Sequence, residues 1–257
     1  MELSTKAKIT WCPGCPDFAI FVAFKKAVEE SVGENKFKLE DLVAGAGIGC
    51  HGKISDYLNV NTINGLHGRI IPTVTGVKVA NPALKVVAFA GDGDTFSEGL
   101  SHLLHAAQKN VGISVFMHQN ETFALTTGQY NSVSPKGFKG ASTPLGSTDE
   151  PMDPLLMVLS AGVTFVARTY AGDMATTTKI MKEAMNHKGF AFVEMIQPCI
   201  TFYDTREHFK NSVEPLPLEW PTNDLGKAIE KVREQTGKTP CGIFYKIEKP
   251  TFEDQIV

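Results

Sequence analysis

The chain reads as an α/β protein built on a mostly parallel sheet with helices on both faces. Three observations predict this. Short apolar runs such as KVVAFA (85–90) and ISVFMH (113–118) suit strands buried on both sides. Helix-period segments alternate with them along the chain. Glycine-rich turns follow the strands, as in AGAGIGCHG and GDGD.

The elements follow in order. DFAIFVAFKKAVEESVG (Asp17–Gly33) carries apolar residues at helical spacing and ends in glycine, so it predicts a helix. Residues 41–44 predict a short strand feeding the glycine-rich turn. Irregular chain is expected through LHGR, then a helix over 72–80. The strand at 85–90 is broken by GDGD, and a helix follows over 97–109. The strand ISVFMH comes next. Residues 121–150 are rich in Gly, Ser, Thr and Pro and predict a long loop, the kind that often carries function. The α/β rhythm then resumes: helix at 154–160, strand at 164–167, helix at 173–187, strand at 190–196. Two regions are expected, a cofactor-binding domain over 1–204 and a C-terminal arm over 205–257. The arm should hold one helix (225–234) and a short strand (242–246), packing on the same domain or on a partner.

Composition limits the function. The chain has 257 residues, 42% hydrophobic and 21% charged, with net charge −3. That balance supports neither nucleic-acid nor membrane-surface binding. The longest apolar stretch, about fourteen residues over 154–167, is too short to span a bilayer. The start, MELSTKAKIT, lacks the apolar core of a secretory signal, which implies a cytoplasmic address. Cysteines are reduced there, so five of them read as ligands or catalysts rather than a disulfide framework.

GDGD lies after a strand and before a helix, where open α/β sheets bind ligands. Its glycines let backbone approach a phosphate, and the helix start favours an anion. Asp92 adds a hard oxygen that suits Mg²⁺. GDG alone is more often a surface turn. The next strand, however, ends in Gln119-Asn120, and the Asn120 amide oxygen can complete a metal shell with Asp92. Gly91-Asp92-Gly93, twenty-six residues, then Asn120 resembles the thiamine-diphosphate (TPP) motif. That resemblance implies Mg²⁺ bound by Asp92, Asn120 and the backbone carbonyl of Thr122, bridging the cofactor's diphosphate. Gln119 stands where many relatives carry Asn or Asp.

WCPGCP raises a separate question, the role of the cysteines. The pair Cys12 and Cys15 differs from the thioredoxin motif, with Gly and Pro exchanged and only eleven residues ahead of it. Zinc would need four N/S ligands, and no second CxxC is present. Cys241 reads as a small buried hydrophobe. Cys50 sits in a glycine-rich loop after a strand, and Cys199 follows Pro198 at another strand end. A CxxC with two distant cysteines at strand ends can supply four thiolates to one [4Fe–4S] cluster.

WCPGC, GIGCHGKI, LHGR followed by TGVKVANP, GDGD, QNETFALTTGQ and QPCITFYD occur in this order. Together they resemble the β subunit of the 2-oxoacid:ferredoxin oxidoreductases, from Trp11 through Asp204 and more thinly to Phe244. Two departures are Pro16, usually Gly, and His51, commonly Ser. The resemblance implies a TPP-binding fold and CoA-dependent oxidative decarboxylation of a 2-oxoacid, with electrons passing through the cluster to ferredoxin. It implies cluster ligands at Cys12, Cys15, Cys50 and Cys199. It places Ile48, Gly49, Cys50 and His51 against TPP, and Gly91, Gly93, Asp94, Ala124 and Leu125 around its diphosphate and thiazolium. His67 is a candidate contact to the cofactor, against a structural histidine at a turn. Lys53 is a candidate for the substrate carboxylate, against a solvated lysine. The glutamate that activates the aminopyrimidine lies, in this family, on a partner α (or α/γ) subunit, so the chain is expected to be inactive alone. Pyruvate, 2-oxoglutarate, branched-chain and aryl oxoacids all stay open. Two other readings are a plain TPP decarboxylase or acetolactate-type subunit, and a zinc-stabilised assembly subunit.

Overall fold

The computed structural model describes residues 2–234 and 236–256. Its helices are α1 (Asp17–Gly33), α2 (Ile54–Tyr57), α3 (Ile70–Ala80), α4 (Leu100–Gln108), α5 (Pro154–Ser160), α6 (Met174–Asn186), α7 (Arg206–Ser212), α8 (Leu225–Arg233) and α9 (Phe252–Ile256). Its strands are β1 (Leu42–Ala46), β2 (Asn61–Asn64), β3 (Lys85–Gly91), β4 (Ile113–Gln119), β5 (Phe165–Tyr170), β6 (Ala191–Ile196), β7 (Val213–Pro215) and β8 (Thr239–Lys246).

These strands form one eight-stranded sheet in the order β2-β1-β3-β4-β6-β5-β8-β7. All neighbours pair parallel except β5 and β8. Alternation along the central strands splits the core into two layers. Phe89, Phe116 and Val193 pack under α1 and α6 with Ile20, Phe24 and Met181. Val86, Ala88, Val115 and Met117 face the other way, toward Leu103, Leu155 and Ala228 of α4, α5 and α8. Helices therefore cover both faces, as the apolar strand runs require.

Local chemistry sets several boundaries. Asp153 caps α5 through Leu156 N (3.0 Å), with Pro154 at its first position, and Asp173 caps α6 through Thr176 N (3.1 Å). Helix α3 starts at Ile70, two residues before Pro72, because a proline in the first turn removes only an N–H that has no helical partner. After GDGD the chain makes a wide π turn over Gly93–Ser97 before α4 begins at Leu100.

Two sequence expectations need correction. The chain before LHGR is not all irregular: β2 lies there, a polar edge strand whose Asn61 side chain donates to Glu40 O and Leu42 O. Its residues are mostly exposed, so it lacks the apolar alternation that marks a half-buried strand. The arm after Thr205 is also more ordered than expected. It contains α7, β7 and α9 besides α8, and β8 extends from Thr239, adding to the sheet edge against β5. These pieces are short, and their order comes from packing on the sheet rather than from local pattern.

Among the described residues no helix is long and apolar enough to cross a membrane.

Candidate functional site

Strands β3 and β4 are parallel neighbours with Gly91 opposite His118. Their carboxyl ends therefore deliver GDGD and Gln119-Asn120 to the same place. The side chain of Asp92, buried at 3% exposure, accepts four hydrogen bonds. Gly93 N (2.7 Å) and Asn131 Nδ2 (3.0 Å) reach Oδ1, and Asn120 N (3.0 Å) and Glu121 N (2.5 Å) reach Oδ2. Burial pushes the Asp92 carboxyl up to about 6, against the pull of these N–H groups. A carboxylate held dry in this way is stabilised by a cation. Asn120 Oδ1, which accepts from Thr122 N at 3.2 Å, and the Thr122 carbonyl supply two further hard oxygens.

Every residue expected at the cofactor lines one cavity. Ile48, Gly49, Cys50 and His51 form one wall, His67 stands at the mouth, and Gly91, Asp92, Gly93 and Asp94 form the floor. Asn120, Thr122, Ala124 and Leu125 form the opposite wall. A side chain on residue 93 would place its Cβ 2.3 Å from the Phe123 ring, so the floor closes only with glycine there. Gly68, at φ +68°, lets the LHGR turn bring its N–H to Asp94 Oδ1 at 2.7 Å. His67 Nδ1 lies 2.8 Å from the same oxygen. Burial raises the Asp94 carboxyl, and Gly68 N and His67 oppose it. His51 is buried, which pushes it well below its ordinary value and leaves it neutral.

The cavity fits thiamine diphosphate. Neither Lys nor Arg is among the described residues lining it, so a diphosphate bound there would need a cation beside it, which Asp92 and Asn120 could hold. His51 Nε2, Asp94 Oδ2 and His118 Nε2 are buried without hydrogen-bond partners, polar atoms that a polar ligand would satisfy.

The cysteines converge next door. Cys12, Cys15, Cys50 and Cys199 line a second cavity, and all five cysteines are free. Trp11 anchors the first pair: its buried indole N–H donates to Cys50 O at 2.7 Å, and its ring stacks edge-on against Phe18, Phe21 and Tyr57. Cys15 N closes a turn onto Cys12 O (3.0 Å), and Phe202 N donates to Cys199 Sγ (3.4 Å). Burial, then Asp17, pushes the Cys15 thiol up, and the same two causes push Cys50 to about 11. Thiolates at these positions would need a positive charge beside them, such as a bound metal supplies. Among the described residues no three His, Cys, Asp or Glu side chains close on a point as a single ion requires. The four cysteines line one space, and a larger group such as a [4Fe–4S] cube would take such a donor set. The two cavities share the wall of Cys50, Asn120, Ala124 and Gln197.

Lys53 is not in the cofactor cavity. It lines the cysteine cavity, with Nζ donating to Thr10 O at 3.2 Å. Cys241 is buried in β8, away from both. Sequence reasoning missed Asn131, His118, Phe123 and Gln197. Asn131 lies in irregular chain and His118 looks like the last residue of an apolar strand, whereas Phe123 and Gln197 fall within QNETFALTTGQ and QPCITFYD, the signal that could have found them.

Comparison with known proteins points to a family. Residues 47–195 match the family "Thiamine pyrophosphate enzyme, C-terminal TPP binding domain". Residues 199–257 match the family of C-terminal regions of the pyruvate ferredoxin oxidoreductase beta subunit. The chain is 36% identical to the Aeropyrum pernix 2-oxoacid:ferredoxin oxidoreductase 1, subunit beta, over 96% of this chain and 80% of that protein. It is 33% identical to the Methanocaldococcus jannaschii 2-oxoglutarate synthase subunit KorB, over 96% of this chain and 90% of that one. A solved structure, the 2-oxoglutarate:ferredoxin oxidoreductase from Magnetococcus marinus with 2-oxoglutarate, coenzyme A and succinyl-CoA bound, superposes with a TM-score of 0.93. It is 36% identical, over 99% of this chain and 87% of that one.

Proposed function

The chain belongs to the beta subunits of the 2-oxoacid:ferredoxin oxidoreductases, and we propose that it carries TPP, Mg²⁺ and one [4Fe–4S] cluster for the CoA-dependent oxidation of a 2-oxoacid. The observation that carries this reading is the shared wall: four cysteines surround one cavity, and Cys50, Asn120, Ala124 and Gln197 divide it from the cofactor cavity.

When bound, TPP would supply a nucleophilic carbon and an electron sink, and a cluster would supply a one-electron acceptor. This chain's residues do the rest by placement. Asp92, Asn120 and the Thr122 carbonyl would hold Mg²⁺, and Asn131 orients Asp92. Neutral His51 and the His67–Asp94 pair line the cavity. Ile48 and Leu125, 41% and 45% exposed, give the mouth an apolar rim that would exclude water once covered. Lys53 meets the oxoacid carboxylate from the neighbouring cavity. The described lining of the cofactor cavity includes no glutamate. The residue that activates the aminopyrimidine therefore comes from an α (or α/γ) partner, in an (αβ)₂ or larger assembly. Ferredoxin receives the electrons, and the cell compartment is the cytoplasm.

The test is anaerobic co-expression with the partner subunit, followed by a panel of 2-oxoacids with coenzyme A and a viologen dye. The reading expects CoA-dependent dye reduction by the complex and none by this chain alone. TPP binding without iron, or oxoacid decarboxylation without dye reduction, would favour a plain decarboxylase subunit instead. Replacing Lys53 with Ile should raise KM for the oxoacid; an unchanged KM removes that role.

A further inference from the structure

Asp17 is the first residue of α1 and has no exposed surface. It does not cap its own helix. Its two oxygens instead face different neighbours: Oδ2 lies 3.5 Å from Cys15 Sγ, and Oδ1 lies 2.9 Å from His118 Nδ1. The same Nδ1 is 2.6 Å from Gln197 Oε1. A carboxylate only accepts, so the imidazole proton sits on Nδ1. His118 is 2% exposed, ends the buried run of β4 and lines the cofactor cavity with its unpartnered Nε2. Asp17 thus stands between the Cys15 sulfur, 3.5 Å away, and a hydrogen-bonded ring that lines the cofactor cavity.

We propose that Asp17 is a positioning residue that lowers the reduction potential of the cluster, with His118 as the donor that holds its charge in place. This rests on the reading that the four cysteines carry a [4Fe–4S] cluster. Reduction adds one electron to a group already ligated by four thiolates, and no bond forms or breaks. A fixed negative charge next to Cys15, shielded from water, raises the energy of the reduced state more than that of the oxidised state. Lys53, which lines the same cavity, is the opposing charge, and it is partly exposed and therefore better screened. The bare alternative is an acidic residue that only favours the start of α1. That role would leave the cluster's potential where it is.

The experiment is a potentiometric titration of the anaerobic complex with its partner, read by the electron paramagnetic resonance of the reduced cluster. It compares the wild type with Asp17→Asn and Asp17→Glu. Iron and sulfide are counted first. A wild type without them defeats the cluster reading, whereas loaded protein lets the potential judge Asp17. The neutral variant should shift the reduction equilibrium about tenfold toward the reduced cluster, about 59 mV more positive for a one-electron couple. The Glu variant should stay near the wild type. A loaded Asp17→Asn complex with an unmoved midpoint overturns the proposal. If that variant does not load, His118→Ala decides. Loss of the donor that holds the charge should move the midpoint positive, and a midpoint that is unmoved or moves negative there also overturns the proposal.

Discussion

The indole N–H of Trp11 donates to the carbonyl oxygen of Cys50 at 2.7 Å. One hydrogen bond thus ties the loop holding Cys12 and Cys15 to the loop after β1, across 39 residues of chain. Replacing Trp11 with Phe keeps an aromatic body for Tyr57 and Phe21 to pack against but leaves Cys50 O without its donor. The expected loss is about 1–3 kcal/mol of stability, together with lower iron content after anaerobic purification. A Phe variant with full iron and an unchanged melting temperature would show that the ring alone sets this geometry.

Asn131 holds Asp92 from outside the ligand set, through Nδ2 at 3.0 Å. Asn131→Ala should weaken Mg²⁺-dependent TPP binding by about 10–100-fold. Calorimetry on the assembled complex, with Mg²⁺ varied at fixed TPP, measures this directly. Equal affinities would mean that the backbone N–H groups of Asn120 and Glu121 orient Asp92 unaided.

Gly93 and Phe123 are predicted to be coupled. Gly93→Ala drives a methyl to 2.3 Å from the Phe123 ring, and the clash should cost about 1–3 kcal/mol. It should also abolish tight TPP binding. The double variant Gly93→Ala with Phe123→Leu should recover part of both losses. Purely additive losses in a double-mutant cycle would place the strain elsewhere.

His187 gives the fold a pH dependence remote from the cofactor. Its Nε2 lies 2.9 Å from Thr164 Oγ1, and burial, then Lys246 and Lys85, lowers it from its ordinary 6.5 to about 4. Between those values the unfolded chain binds a proton that the folded chain refuses. Stability is therefore lost as pH falls from 6.5 toward 4. His187→Gln should flatten that slope in urea midpoints taken across the same interval. An unchanged slope would assign the acid sensitivity to other groups.

The parallel sheet was legible because β3, β4 and β6 are buried on both faces and so are written as apolar runs. GDGD and Asn120 were legible as a pair because adjacent parallel strands bring their carboxyl ends together, so strand order turns sequence spacing into proximity. The cysteines could be grouped through the strand ends that carry Cys50 and Cys199 and through family resemblance, since no local pattern says that Cys199 returns to Cys12. Asp17 and His118 were illegible for a related reason. One reads as a helix start and the other as a strand end, and their meaning arises only where α1 crosses β4. The edge strand β2 and the short α7 and α9 depend on tertiary packing, which local patterns do not encode.

The central claim is that four thiols surround a single iron–sulfur cube one cavity wall from the cofactor. Chemical analysis of the anaerobic complex for iron, acid-labile sulfide and zinc, in the wild type and in Cys50→Ser, tests it most directly. The account predicts about four iron atoms and about four sulfides per chain, as one [4Fe–4S] cluster contains, and a sharp loss of both in the variant. Zinc in place of iron, or iron content indifferent to Cys50, would contradict it.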